Sequence, residues 1–120
     1  MAKKILLIED DPKVSSSLVQ LLQPTYEVTV ADQGKVGLER AQKDKPDLVV
    51  LDIKLPDIEG TEVLHQLKSD PATENILVLI LTNLNDQHTV SSIIAAGGRE
   101  YLVKSDWSLQ EVAEKISEII

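Results

Sequence analysis

The sequence predicts an α/β fold: five strand–helix units, (βα)5, building a doubly wound five-stranded parallel sheet. Two observations predict it. Short apolar runs alternate with stretches of helical period from one end of the chain to the other. Most of those runs are continuously apolar, as strands buried on both faces must be. No linker, low-complexity tract or charge block interrupts the pattern, so residues 1–120 read as one domain, long enough to bury a core.

Taken in order, Ile5–Ile8 is the first strand, and Val14, Leu18, Leu21 and Leu22 recur behind it at helical spacing. Tyr26, Val28 and Val30 alternate with Glu27 and Thr29, which predicts an edge strand with one wet face. Gly34–Lys43 is a weak helix containing two glycines. Leu48–Leu51 is again wholly apolar, and Val63, Leu64 and Leu67 mark a helix that Asp70-Pro71 ends. Ile76–Leu81 is the longest apolar run. Val90, Ile93 and Ile94 follow as a helix closed by Gly97-Gly98, and Tyr101–Val103 is the last strand. "SLQE" at 108–111 is a capping-box pattern, with Ser108 as N-cap and Glu111 three residues on. Leu109, Val112, Ala113, Ile116, Ile119 and Ile120 then stripe the final helix.

Composition narrows the function. Hydrophobic residues make up 42% and charged ones 27%, and no apolar stretch approaches the roughly 18 residues of a membrane span. The opening Met1-Ala2-Lys3-Lys4 precedes too short an apolar run for a signal peptide. The lack of cysteine excludes disulfides and thiolate metal sites and fits a reducing, cytoplasmic setting. A net charge of −8 argues against direct nucleic-acid binding, because phosphate backbones are held by Lys and Arg. Two Tyr, one Trp and no Phe leave little for base stacking either.

In such sheets ligands sit outside the carboxyl ends of the strands, where strand order reverses. The first run ends in Glu9, Asp10 and Asp11, the third at Asp52, the fourth at Thr82 and the fifth at Lys104. Each has an ordinary structural explanation. A lone Asp after a strand is usually a cap or turn former, as Asp11 before Pro12 looks to be. Thr82 could cap a helix, and Lys104 could be a solvated loop charge. Their coincidence on one rim points instead to phosphoryl transfer. Clustered carboxylates repel, and a cation relieves them. Mg²⁺ suits such a site because it takes one or two carboxylates, keeps waters and shares phosphate oxygens. A carboxylate can serve as nucleophile and form an acyl phosphate. A metal, a hydroxyl and an ammonium would neutralise the transferring group.

"ILLIEDDP", "PDLVVLDIKLPDIEG", "SDPATENILVLILTN" and "AAGGREYLVK" stand in an order and spacing that resembles the receiver domain of two-component response regulators, across essentially the whole chain. The resemblance implies the flavodoxin-like receiver fold with strand order 2-1-3-4-5. It implies Asp52 as phosphoacceptor and Glu9 and Asp10 as the acidic pair, Asp10 being the direct Mg²⁺ ligand, with Mn²⁺ able to substitute. The backbone carbonyl of Lys54 would complete the metal site. Thr82 would contact the phosphoryl group and Lys104 pair with it, while Tyr101 would swing between exposed and buried positions as a switch. The partners implied are a histidine kinase or phosphotransfer protein and a downstream target or output domain. The chemistry would be the domain's own phosphorylation and dephosphorylation rather than metabolic catalysis. The chain reaches Ile120, the natural end of its last helix, so a stand-alone receiver and a piece of a longer protein are both expected possibilities.

Departures accompany the matches. The family has Pro after the conserved Lys, through a cis peptide, and this chain has Ser105, so the Lys104–Ser105 bond is expected to be trans with Lys104 still reaching Asp52. Asn83 is larger than the residue usual after the Thr. Lys54 and Leu84 occupy the positions that tune phosphoryl lifetime. None of these removes a reacting group. Other readings fit less well. A flavodoxin-type FMN carrier needs a Ser/Thr/Gly-rich phosphate loop where "EDDP" stands. A metal-dependent nuclease or topoisomerase-like domain wants a carboxylate where Lys54 stands. The alternative is a phosphorylation-independent adaptor with the receiver fold. His65 and His88 read as surface residues.

Overall fold

The computed structural model describes residues 2–83, 87–98 and 100–120. Its elements run β1 (Lys4–Ile8), α1 (Pro12–Leu22), β2 (Glu27–Ala31), α2 (Gly34–Asp44), β3 (Leu48–Leu51), α3 (Gly60–Ser69), β4 (Leu77–Thr82), α4 (Gln87–Ala95), β5 (Glu100–Val103) and α5 (Leu109–Ile119). A short 3₁₀ turn, Lys104–Asp106, links β5 to α5. The five strands form one sheet in the order β2-β1-β3-β4-β5, each pair parallel. The predicted fold class is therefore the observed one.

Period-2 geometry, with helices on both faces, explains why the inner strands β1, β3 and β4 are almost continuously apolar. Leu6, Ile8, Val49, Leu51, Val78 and Ile80 face one side and pack with Leu38 and Ala41 of α2, Val63, Leu64 and Leu67 of α3 and Ile93 of α4. Ile5, Leu7, Leu48, Val50, Leu79 and Leu81 face the other, against Leu18 and Leu22 of α1 and Val112 and Ile116 of α5. Most strand residues thus feed one of two cores, while Lys4, Glu27, Val30, Leu77 and Glu100 stay exposed. The edge strand β2 begins one residue later than its alternation suggests and ends on buried Ala31, which leaves Val30 exposed. In α4, Ile93 is buried while Ile94 is 67% exposed: consecutive helical residues point about 100° apart, and one face meets the sheet.

Caps set the helix starts. Asp11 precedes α1 in extended conformation and its side chain accepts from the Lys13 N–H, with Pro12 in the first turn. At α5 the predicted capping box is complete: Ser108 accepts from the Glu111 N–H at 3.1 Å, and Glu111 accepts from the Ser108 N–H at 2.9 Å. Replacing Ser108 by Ala leaves an amide without its partner, so S108A is expected to lose about 1 kcal/mol of stability. A urea midpoint equal to that of the wild type would contradict this.

Candidate functional site

The sheet's register brings the site together. Ile8 pairs with Leu51, so the next residues, Glu9 and Asp52, emerge side by side at the carboxyl ends of β1 and β3. This is where the chain order reverses, since β1 is followed by β2 on one side and β3 lies on the other. The Asp52 N–H donates to the Ile8 carbonyl at 3.0 Å, and the Glu9 N–H to the Ala31 carbonyl at 3.0 Å, so both residues are locked to the sheet. Thr82 pairs with Val103, which sets Lys104 one step beyond.

The result is a hollow of about 520 Å³ whose lining includes Glu9, Asp10, Asp52, Lys54, Thr82 and Lys104. All six sequence-predicted site residues at the strand ends meet there. Carboxylate oxygens of Glu9, Asp10 and Asp52 lie within 4.8 Å of one another. Glu9 and Asp52 are buried, at 2% and 7% exposure, Thr82 is buried as well, and Asp10 faces solvent. Asp11 is spent on capping α1 and also holds Glu9, its N–H donating to Glu9 Oε2 at 3.2 Å. Tyr101 is half-buried on β5, against the core shared with α2, α3 and α4.

The Asp52 carboxylate is held at both oxygens. Oδ1 accepts from the Ile53 N–H at 2.7 Å and the Lys54 N–H at 3.4 Å, and Oδ2 from the Lys104 ammonium at 3.1 Å. Lys104 therefore reaches Asp52 as expected; no peptide bond among the described residues is cis, so Lys104–Ser105 is trans. Less foreseeable is that the same ammonium is hydrogen-bonded to Glu9 Oε1. Burial pushes the Glu9 carboxyl up to about 7 from its ordinary 4.5; the Lys104 bond pulls it down and the charge on Asp52 pushes it further up. For Lys104, burial works against the charged form, but its bond to Glu9 and the charges of Asp52 and Glu9 outweigh that and hold its pKa above the ordinary value. The directions are consistent: two buried carboxylates share one ammonium, which keeps its proton while Glu9 is left short of compensation.

The hollow is lined by four carboxylates, those of Glu9, Asp10, Asp11 and Asp52, and two ammoniums, those of Lys54 and Lys104, which leaves two negative charges in excess when all are ionised. A hard divalent cation matches that deficit and this all-oxygen donor set. The sequence marks Pro56 and Gly60 as the residues that shape the loop after Asp52, but not how closely Gly60 approaches the strand end. The Gly60 N–H donates to the Ile53 carbonyl at 2.7 Å, and a Cβ on Gly60 would stand 2.2 Å from the Asp52 carbonyl oxygen. Only glycine allows this approach. Leu84, assigned with Lys54 to phosphoryl lifetime, lies outside the described residues.

The family model for the response regulator receiver domain matches residues 5–117, and the chain belongs to that family. Its role is that of a phosphoacceptor receiver domain, and receiver domains bind Mg²⁺ at an acidic pocket such as this one. It is 31% identical to the alkaline phosphatase synthesis transcriptional regulatory protein PhoP of Bacillus subtilis, over all of this chain and 49% of that protein. A solved CheY-like receiver domain from Methanospirillum hungatei superposes with a TM-score of 0.90 at 29% identity, covering 99% of this chain and 94% of that one. The Mn²⁺-bound form of response regulator Rcp1 gives a TM-score of 0.82 at 27% identity, covering 98% and 91%. The chain spans about half or less of the curated relatives it matches, down to 7% of a hybrid signal transduction histidine kinase of Dictyostelium discoideum. In relatives, receiver domains occur with histidine kinases and output domains. Among the described residues no helix is long and apolar enough to cross a membrane.

The close approach at Gly60 makes a prediction. A side chain there meets backbone, which has nowhere to go, so G60A is expected to lose about 1–3 kcal/mol through overpacking. Chemical denaturation measures it; a variant as stable as the wild type would show that the loop after Asp52 moves aside freely.

Proposed function

We propose that residues 1–120 act as one phosphorylatable signalling domain in which Asp52 takes the phosphoryl group, with Glu9, Asp10, Asp52 and the Lys54 carbonyl holding Mg²⁺ or Mn²⁺. The observation that carries this is the charge deficit in the hollow: carboxylates buried at the strand ends, with one ammonium between two of them. The Mn²⁺-bound neighbour supports the metal reading. A divalent cation bound there supplies positive charge against the phosphoryl oxygens.

The chain's own groups do the rest. Asp52 Oδ1 is engaged by two backbone N–H groups, so the carboxylate is oriented and Oδ2 is the oxygen facing Lys104. Attack by Asp52 forms a new oxygen–phosphorus bond as the bond from phosphorus to the donor's leaving atom breaks, and the electron pair departs with the donor. Lys104, already at the carboxylate, would follow the negative charge from Asp52 to the phosphoryl oxygens, and the Thr82 hydroxyl would bond the same group. A phosphoryl group adds about −1.5 to −2 charge, and drawing Thr82 and Lys104 toward it would reshape the ends of β4 and β5. Tyr101, half-buried beside them, would then turn inward and alter the face of α4, β5 and α5, which a downstream protein target or output domain would read. A histidine kinase or phosphotransfer protein would be the donor, in the cytoplasm.

Two tests follow. Acetyl phosphate is expected to add one phosphate to the wild type by intact mass, only with Mg²⁺ or Mn²⁺ present, and none to D52N; equal labelling of D52N would reject Asp52. In Mg²⁺ titration, D10N is expected to bind markedly more weakly while D11N stays near wild type, because Asp11 caps α1. Equal losses would move the ligand assignment to Asp11.

A further inference from the structure

The loop between Asp52 and α3 makes one long-range attachment that phosphoryl transfer itself does not call for. Asp57 Oδ1 accepts from the Gly34 N–H at 2.8 Å and Oδ2 from the Lys35 N–H at 2.9 Å, so one exposed carboxylate straddles the amino end of α2. Among the described residues, α2's own N-cap residue, Gln33, makes no side-chain cap bond. The cap therefore comes from a residue over twenty positions away in the chain. Close packing joins the same two segments: a Cβ on Gly34 would stand 2.6 Å from Ile58 Cγ1 and 2.9 Å from Val63 Cγ2. The bonds from Lys35 and Gly34 hold the Asp57 carboxyl below the usual carboxylate range, so it stays ionised and suited to the helix's positive end.

The attachment fixes a particular stretch of chain. The loop is closed at its base by the Gly60 N–H on the Ile53 carbonyl and tied at its tip by Asp57. Lys54, Leu55 and Pro56, which lie between those ties, line the hollow that contains Asp52. We propose that Asp57 is a positioning residue for the phosphoacceptor site. Its two-pronged grip on α2 sets where residues 54–56 stand, and so sets divalent-cation affinity and couples occupancy of the hollow to the amino end of α2. The inference rests on the metal reading above, and it is distinct from a plain helix cap, which would stabilise α2 wherever the carboxylate came from.

That distinction gives the experiment. Mg²⁺ affinity is measured by calorimetry, and stability by denaturation, on the wild type, D57A and the double variant D57A/Q33D. Gln33 is exposed and extended at the N-cap position, so an Asp there restores a cap to α2 without tying down the loop. D57A is expected to lose stability and to bind Mg²⁺ about tenfold more weakly, the scale of loss when groups that orient metal ligands are removed. The double variant is expected to regain stability but not affinity. In wild-type protein the Gly34 and Lys35 amide resonances are expected to shift on Mg²⁺ titration, a readout that holds even if D57A does not fold. D57A that binds Mg²⁺ like the wild type, affinity that returns together with stability in the double variant, or amides at 34 and 35 that ignore the metal would each overturn the proposal. Wild-type protein that binds no Mg²⁺ would overturn the metal reading first and this inference with it.

Discussion

Two carboxylates, Glu9 and Asp52, stand below the surface at the ends of buried apolar runs, with one ammonium between them. Water would solvate them at the surface at no cost. In the hollow they rely on Lys104 and on backbone N–H groups. A buried pair of like charges is tolerable only if the surrounding structure holds both in place, because relaxation apart would otherwise relieve the repulsion. The parallel sheet provides that. Ile8 and Leu51 are paired and fully buried, so the residues that follow them have almost no freedom to separate. The apolar runs in front of Glu9 and Asp52 are thus the mounting of the site as well as the core of the fold.

The loop after Asp52 solves a second problem, turning the chain from strand to helix while keeping the carboxylate's neighbours aimed at the hollow. Gly60 approaches the Asp52 carbonyl more closely than any other residue type could, and Asp57 ties the loop's tip to α2. The two attachments lie on opposite sides of Lys54–Pro56, so that stretch is constrained from both ends. Its geometry is consequently a property of α2 and α3 together, and not of the loop alone.

Legibility in the sequence follows from range. The strands were readable because continuous apolar runs are a local signal, and Glu9, Asp10, Asp52, Thr82 and Lys104 because they fall at the ends of such runs, whereas Lys54 and Tyr101 were marked only by the resemblance to the family. Asp11 and the Ser108–Glu111 box were readable because a cap and its target are neighbours in sequence. The Asp57 cap was not, since its partners lie over twenty residues upstream. The available hint was indirect: a helix opening "GKVG" behind a Gln, with no good N-cap of its own. The bond from Lys104 to Glu9 was hidden for the same reason, as it depends on strand order and depth. Exposed Ile94 beside buried Ile93 shows the limit of periodicity, which marks a helix without saying how wide its buried stripe is.

The missing proline after Lys104 raises the question of what aims this side chain when a fixed ring does not. Three local devices act on the segment in its place. Lys104 opens a 3₁₀ turn that the Trp107 N–H closes onto the Lys104 carbonyl at 3.4 Å. The Trp107 ring is packed against the core between α1, α5 and the sheet, which anchors the far side of that turn. The Ser108–Glu111 box then fixes the start of α5 in the very next residue. On the near side Val103 is paired with Thr82 in the sheet. With both flanks held, the remaining freedom of Lys104 lies in its four methylenes, and the two carboxylates it bridges use that freedom up. A lysine aimed in this way is ordered by what it binds, so its position depends on charge in the hollow more than on the backbone that carries it.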